Sequence, residues 1–115
     1  MRQWEIHIVQ QQYARNELSP TQPNDPSGYN RMYVVVAEPA GHTAICCPIQ
    51  NSLSGIGLTE VGLQQGYTTC ITKDCKVVCH EIFTLPVRFF EKKVGFIRPD
   101  EQDKIQTALI AVFDF

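Results

Sequence analysis

The 115-residue sequence contains no apolar run near the roughly 20 residues that a bilayer-spanning helix requires. It opens on MRQWEIHIVQ, which is too short and too polar for a secretory signal, so a cytoplasmic protein with no membrane association is expected. Neither sign of charge is in large excess. Ten Lys and Arg face twelve Asp and Glu, for a formal net charge of −2. That balance excludes a global attraction to nucleic acid, so any RNA- or DNA-binding surface must be a local patch. It also leaves room for a protein partner. The cysteines do not form an even set. There are five, at 46, 47, 70, 75 and 79, and an odd number without a secretion signal argues against a disulfide scaffold. The cluster CITKDCKVVCH invites a metal, but its spacings of four, three and zero intervening residues do not match paired zinc knuckles. On a regular strand Cys75 and Cys79 would share a face yet lie about 13 Å apart, too far for one ion. The cysteines therefore read as small buried hydrophobes, with no metal and no cofactor expected. Internal repeats and low-complexity segments are also missing.

With 43% hydrophobic and 19% charged residues, the chain has the composition of one globular domain with one core, spanning 1–115. WEIHIVQQ alternates, placing Trp4, Ile6 and Ile8 on one face and Glu5 and His7 on the other, which predicts a half-buried strand with His7 facing solvent. Residues 13–31 hold three prolines and a glycine and read as a long loop, of the kind that often forms a lid or binding loop. MYVVVAE (32–38) is a buried strand, PAG turns the chain, and HTAICCPI (42–49) returns it as a hairpin. Cys46 and Cys47 then point to opposite faces. QNSLSGIG (50–57) is a loop, LTEVGL (58–63) a short edge strand, and TTCIT (68–72) leads into a KDC turn. KVVCHEI (76–82) is a further strand. Thr84, Leu85 and Pro86 read as a turn, and KKVGFI (92–97) as the last strand.

The terminal element is the clearest. Pro99 suits the first helical position, and Asp100 and Glu101 complement the positive end of the helix dipole. Ile105, Ala108, Leu109 and Val112 follow at i, i+3, i+4 and i+7, one apolar stripe. A helix of about 14 residues is marginal alone and must dock on the sheet or on a second subunit. The sum is mainly β with minor α: five to seven short strands in a small, bent antiparallel sheet or partial barrel, with a C-terminal helix.

The order of these pieces resembles the MazF/PemK/Kid toxins of type II toxin–antitoxin systems. WEIHIV is similar to that family's first strand, GYNRMYVVVAE to its glycine-containing loop, arginine and strand, and TAICCPIQNS to its "PIT" strand and loop. KVVCHEIFTL with KKVGFIRPDEQDKIQTALIAVFDF is similar to the late strands and terminal helix. Residues 11–26 and 64–74 align least. The resemblance implies a small SH3-like β-barrel, a homodimer, and metal-independent endoribonuclease activity on single-stranded RNA. It also implies a cognate antitoxin that blocks the RNA groove.

Metal-free RNA cleavage needs a base for the 2′-OH, a cation or donor for the charged phosphorane, and an acid for the leaving 5′-oxygen. Arg31, after Gly28 and at the loop-to-strand junction, stands where the family carries its catalytic arginine. A guanidinium fork matches phosphate oxygens, and its pKa suits charge stabilisation rather than proton transfer. Met32 stands where a proline often follows. Gln50 occupies the place of a family hydroxyl, usually threonine, and glutamine bonds but does not transfer protons. Ser52 is a catalytic candidate that would supply the hydroxyl if the loop bends back, and Asn51 would read a base edge. His80 takes the place where some Kid-type relatives carry an aspartate, and imidazole chemistry suits proton transfer near neutral pH. Glu81, next to it, would face the other side of a regular strand. Phe83 replaces an arginine of the family turn. Tyr29 is placed to stack on a base. Lys73, Lys76 and Arg88 are sources of local positive charge, although strand lysines more often face solvent. The bland readings are a strand-capping arginine at Arg31 and a carbonyl-bonded histidine at His80. Two rivals follow from the departures: a CcdB-like, non-enzymatic toxin that acts on DNA gyrase through its apolar C-terminal end, or a diverged member that only binds.

Overall fold

A computed structural model of the protein describes residues 2–10, 30–38, 41–50, 55–66, 71 and 74–114. The described residues form seven strands and one α-helix: β1 (Glu5–Gln10), β2 (Asn30–Ala37), β3 (Thr43–Gln50), β4 (Glu60–Leu63), β5 (Cys75–Val78), β6 (Phe83–Pro86), β7 (Phe90–Phe96) and α1 (Pro99–Val112). A single 3-10 turn, Val87–Phe89, joins β6 to β7. The order across the sheet is β4-β5-β3-β2-β1-β7, with β6 also paired to β3. The mainly β, SH3-like antiparallel architecture with a terminal helix is the one expected. Among the described residues, no helix is long and apolar enough to cross a membrane.

The apolar runs explain the order. β2 and β3 form the expected hairpin, with Val34 opposite Cys47 and Val35 opposite Cys46. Gly41 in its turn has φ +69°, a left-handed conformation that glycine adopts without a steric penalty. β3 then meets two strands along its other edge. Thr43 to Cys46 pair with β6, and Ile49 and Gln50 pair with β5. A strand shared in this way makes a corner, and the sheet folds around it.

Two cores result. The main one unites Trp4, Ile6, Val34, Cys47, Ile49, Val61, Leu63, Val77 and Ile97 with Ile105 and Ala108 of α1. The smaller one holds Val9, Tyr33, Cys46 and Leu85 under Phe83, Phe89 and Phe90. Cys46 and Cys47 therefore do face opposite sides, one in each core. All four described cysteines are buried. Burial alone pushes the Cys46 thiol up to about 12.

The helix keeps its expected limits. Pro99 occupies the first turn with Asp100 and Glu101, and Gln102 Nε2 donates to the Ile97 carbonyl at 2.7 Å. Ile105 and Ala108 dock on the sheet, whereas Ile110 and Phe113 are 70% and 57% exposed.

Several expectations are corrected. The Thr84–Leu85–Pro86 turn is strand β6, because Leu85 fills the smaller core and Pro86 sits at the strand's end, where a missing N–H is tolerated. The strand expected over 76–82 ends at Val78, and Cys79 to Glu81 form a turn closed by Glu81 N–H on the Val78 carbonyl. β4 begins at Glu60, leaving Leu58 in a turn, and β7 begins at Phe90 rather than Lys92. The loop over 13–31 and the strand over 68–72 fall almost wholly outside the described residues.

His7 does not face solvent. β1 lies inside the sheet, between β2 and β7, and the aromatic cluster covers its second face, so Glu5 and His7 are both buried. They pair instead: His7 Nε2 donates to Glu5 Oε1 at 3.0 Å, and Lys93 Nζ lies 3.5 Å from Glu5 Oε2. Phe90 meets the imidazole edge-on. Burial pushes the Glu5 carboxyl up. The bond from His7, the Arg2 amide and the charges of His7 and Lys93 outweigh it, holding Glu5 at about 2 rather than 4.5. A depressed carboxyl stabilises the fold above its unfolded pKa, and that stability is lost as pH falls through the folded one. Glu5→Gln is therefore expected to be about 2 kcal/mol less stable at pH 7 in urea melts. The gap to wild type should close between pH 4.5 and pH 2; a gap independent of pH would refute the pairing.

Candidate functional site

The C-terminal end of β3 is where polar groups gather. Gln50 pairs with Lys76 of β5, and Lys76 pairs with Gly62 of β4. On the other side Arg31 of β2 pairs with Val9. The β2–β3 register passes through Tyr33 opposite Pro48. Continued two residues further, it brings Arg31 to the level of Gln50. Arg31, Gln50 and Lys76 thus occupy one transverse row on three adjacent strands, with backbones about 5 Å apart at each step.

Lys76 is the buried member of this row. It is 6% exposed, and its Nζ lies 2.7 Å from Glu60 Oε2 across the β4–β5 pair. Glu60 Oε1 accepts the Gly57 amide at 3.0 Å. The Lys76 bond, opposed by burial and helped by that amide, lowers the Glu60 pKa. Lys76 is therefore committed to a buried ion pair and is not a solvated strand lysine.

The turn after β5 carries the proton-handling groups. Because Val78 ends the strand, His80 and Glu81 escape the strict alternation that would have put them on opposite faces. Glu81 turns back to β3, where its Oε2 accepts from Gln50 Nε2 at 3.2 Å. His80 is exposed and pairs its Nδ1 with the Thr59 hydroxyl at 2.8 Å. Thr59 also receives the Cys79 amide on its carbonyl at 2.9 Å. One threonine therefore fastens the turn twice.

Of the sequence candidates, the structure brings Gln50, Lys76 and Glu81 together, with Arg31 in register and His80 one residue away on the β4 side of the turn. Gly28, Tyr29, Asn51, Ser52 and Lys73 lie outside the described residues. Arg88 has its guanidinium 5.0 Å from the Phe89 ring centroid. Sequence reasoning missed Thr59 and Glu60. Their signal was faint: a hydroxyl and a carboxylate opening an edge strand, whose partners only the β4–β5 register identifies. A separate groove of about 450 Å³ runs between Gly57 to Gly62 and the Asp103–Ala108 stretch of α1, and it includes none of Gln50, His80 or Glu81.

A bent antiparallel sheet with a terminal helix, and a polar row at the end of its corner strand, agrees with what comparison finds. The family model described as "PemK-like, MazF-like toxin of type II toxin-antitoxin system" matches residues 10–113. The chain belongs to this family. The Mycobacterium tuberculosis toxin MazF-mt6 superposes with a TM-score of 0.68 at 19% identity, over 96% of this chain and 97% of that one. An endoribonuclease from a mycobacterial species, solved in complex with its cognate antitoxin, gives 0.68 at 16% identity, over 97% and 93%. A further Mtb toxin gives 0.62 at 18%, over 72% and 92%. No curated protein sequence matches the chain. At these identities the structures establish the shared fold.

The ion pair makes a direct test. Lys76→Met leaves Glu60 buried without its partner, which is expected to cost about 3 kcal/mol and to be recovered in large part by the double variant with Glu60→Leu. Thermal melts of the three variants check this, and a Lys76→Met protein as stable as wild type would contradict it.

Proposed function

We propose that this protein is the toxin of a type II toxin–antitoxin pair, and that it cleaves single-stranded RNA without a metal. It acts in the cytoplasm as a homodimer and is silenced by a cognate antitoxin. Family membership supports the toxin assignment. The relative solved with its antitoxin supports the partner. The observation that carries the nuclease reading is the row of Arg31, Gln50 and Lys76, with Glu81 bonded to Gln50 beside it.

The chemistry is internal displacement. The 2′-oxygen forms a bond to phosphorus, the bond from phosphorus to the 5′-oxygen breaks, the 2′ proton passes to a base, and the departing 5′-oxygen takes a proton from an acid. Arg31 neutralises the charge that builds on the phosphoryl oxygens. His80 moves a proton, and the Glu81 carboxylate is a second group at hand for the same task. Gln50 holds Glu81 in place and occupies the family's hydroxyl position, with Ser52 supplying a hydroxyl from the adjoining loop. Asn51, Gly28 and Tyr29 contact substrate, Tyr29 by stacking. Lys76 and Glu60 keep the row rigid and do not touch the reacting atoms.

Cleavage of a mixed-sequence RNA oligonucleotide by the purified protein tests this reading. Arg31→Ala is expected to slow it about 100- to 1,000-fold, the usual effect of removing one charge-stabilising donor. An all-deoxy oligonucleotide should be spared, and His80→Gln or Glu81→Gln should each slow cleavage of the RNA. Intact RNA together with trapped gyrase–DNA complexes would overturn the proposal in favour of a CcdB-like poison. Such a poison would act through the exposed Ile110 and Phe113 end of α1.

A further inference from the structure

Two cysteines that no part of the mechanism uses lie under the site. The β3–β5 register runs through Ile49 opposite Val77 and Gln50 opposite Lys76. Cys47 lies two residues before Ile49 and Cys79 two residues after Val77, in the turn just beyond the end of that ladder. The side chains place the two residues beside each other. Both residues are fully buried in the main core, and Cys47 Sγ lies 4.0 Å from the Cys79 carbonyl oxygen. The Cys79 thiol in turn donates to the Val77 carbonyl at 4.0 Å, and the proximity of the two sulfurs pushes Cys47 up and pulls Cys79 down. Among the described residues, Cys46 on the opposite face has no such neighbour in its core.

We propose that Cys47 and Cys79 form a reversible disulfide that acts as a redox switch on the turn carrying His80 and Glu81. The oxidant is a peroxide. The Cys79 sulfur attacks one peroxide oxygen, the O–O bond breaks, and the departing hydroxide leaves as water, giving a sulfenic acid. Cys47 then attacks the Cys79 sulfur, the S–S bond forms, and the hydroxyl leaves with the Cys47 proton as a second water. Two thiols lose two electrons and two protons, and one peroxide becomes two waters.

Cys79 reacts first because it adjoins exposed His80 in a turn beyond the strand ladder, whose backbone bonds, its own amide to Thr59 and Glu81 N–H to Val78 at 3.3 Å, are joined by the side-chain contacts of His80 and Glu81. Brief opening of that turn admits peroxide. A dithiol of this kind fits a reducing compartment, where disulfides are transient and sensing rather than structural. Closing the bond ties the turn to β3 and displaces both contacts that orient the site, His80 with Thr59 and Glu81 with Gln50. The effect on RNA cleavage rests on the nuclease reading. Formation of the bond and movement of the turn do not.

The test treats the folded full-length protein with hydrogen peroxide and maps its peptides by mass spectrometry. The His80 imidazole resonances are followed by NMR, and RNA cleavage is measured alongside. The expected result is a peptide linked through Cys47 and Cys79, two hydrogens lighter than the free pair, and shifted His80 resonances. Cleavage should slow at least five-fold, with every change reversed by dithiothreitol and absent in Cys47→Ala. Three results would overturn the switch: no such linked peptide from the folded protein, a linked peptide with His80 unmoved, or the same response in Cys47→Ala. If the untreated protein cleaves no RNA, the nuclease reading fails, while the map and the His80 resonances still decide the disulfide.

Discussion

Strand β3 has more partners than it has edges. One edge is taken by β2, and the other is divided between β6 along Thr43 to Cys46 and β5 at Ile49 and Gln50. Pro48 falls in the gap between those two pairings, where the absence of an N–H on a proline costs least. This division forces the corner, and the corner does the rest. It folds the sheet so that one core receives side chains from β1 to β5 and from α1, while Phe83, Phe89 and Phe90 cover a second core behind β1, β2 and β6. It leaves the last residue of β3 at a junction, with β2 on one side and β5 on the other.

The candidate site is a consequence of that junction. Gln50 ends the strand with its amide free to hold a group from the next turn, and the group it holds is Glu81. The ion pair of Lys76 and Glu60 fixes β5 to the edge strand β4. A pair this deeply buried is a weak source of stability but a strong source of register, since a slip of one residue would strand both charges. The relatives keep the fold at 16–19% identity. The fold is therefore compatible with wide sequence change.

Much of the scaffold was legible from sequence because its signals are local. The β2–β3 hairpin rests on a β-branched run and a glycine turn, and the helix on Pro99, its acidic first turn and the stripe from Ile105 to Val112. What was not legible depends on long-range partners. Pro86 reads as a break until β3 is known to lie beside it. His7 reads as a solvent residue until the phenylalanines of the last strands are placed over it. Glu81 reads as facing away from His80 until the strand is seen to stop at Val78. Within the site, Gln50 and Glu81 were candidates from the start, but their bond is not foreseeable. Thr59 and Glu60 gain meaning only from the β4–β5 register.

The claim that the end of β3 is the RNA-binding surface is tested most directly by titrating isotopically labelled protein with a 2′-O-methylated RNA oligonucleotide, which binds but cannot react. The account predicts chemical-shift changes concentrated at Arg31, Gln50, Lys76 and Glu81, with Leu58 and Phe113 unmoved. Shifts confined to Leu58 and the end of α1, with the β3 row silent, would contradict it.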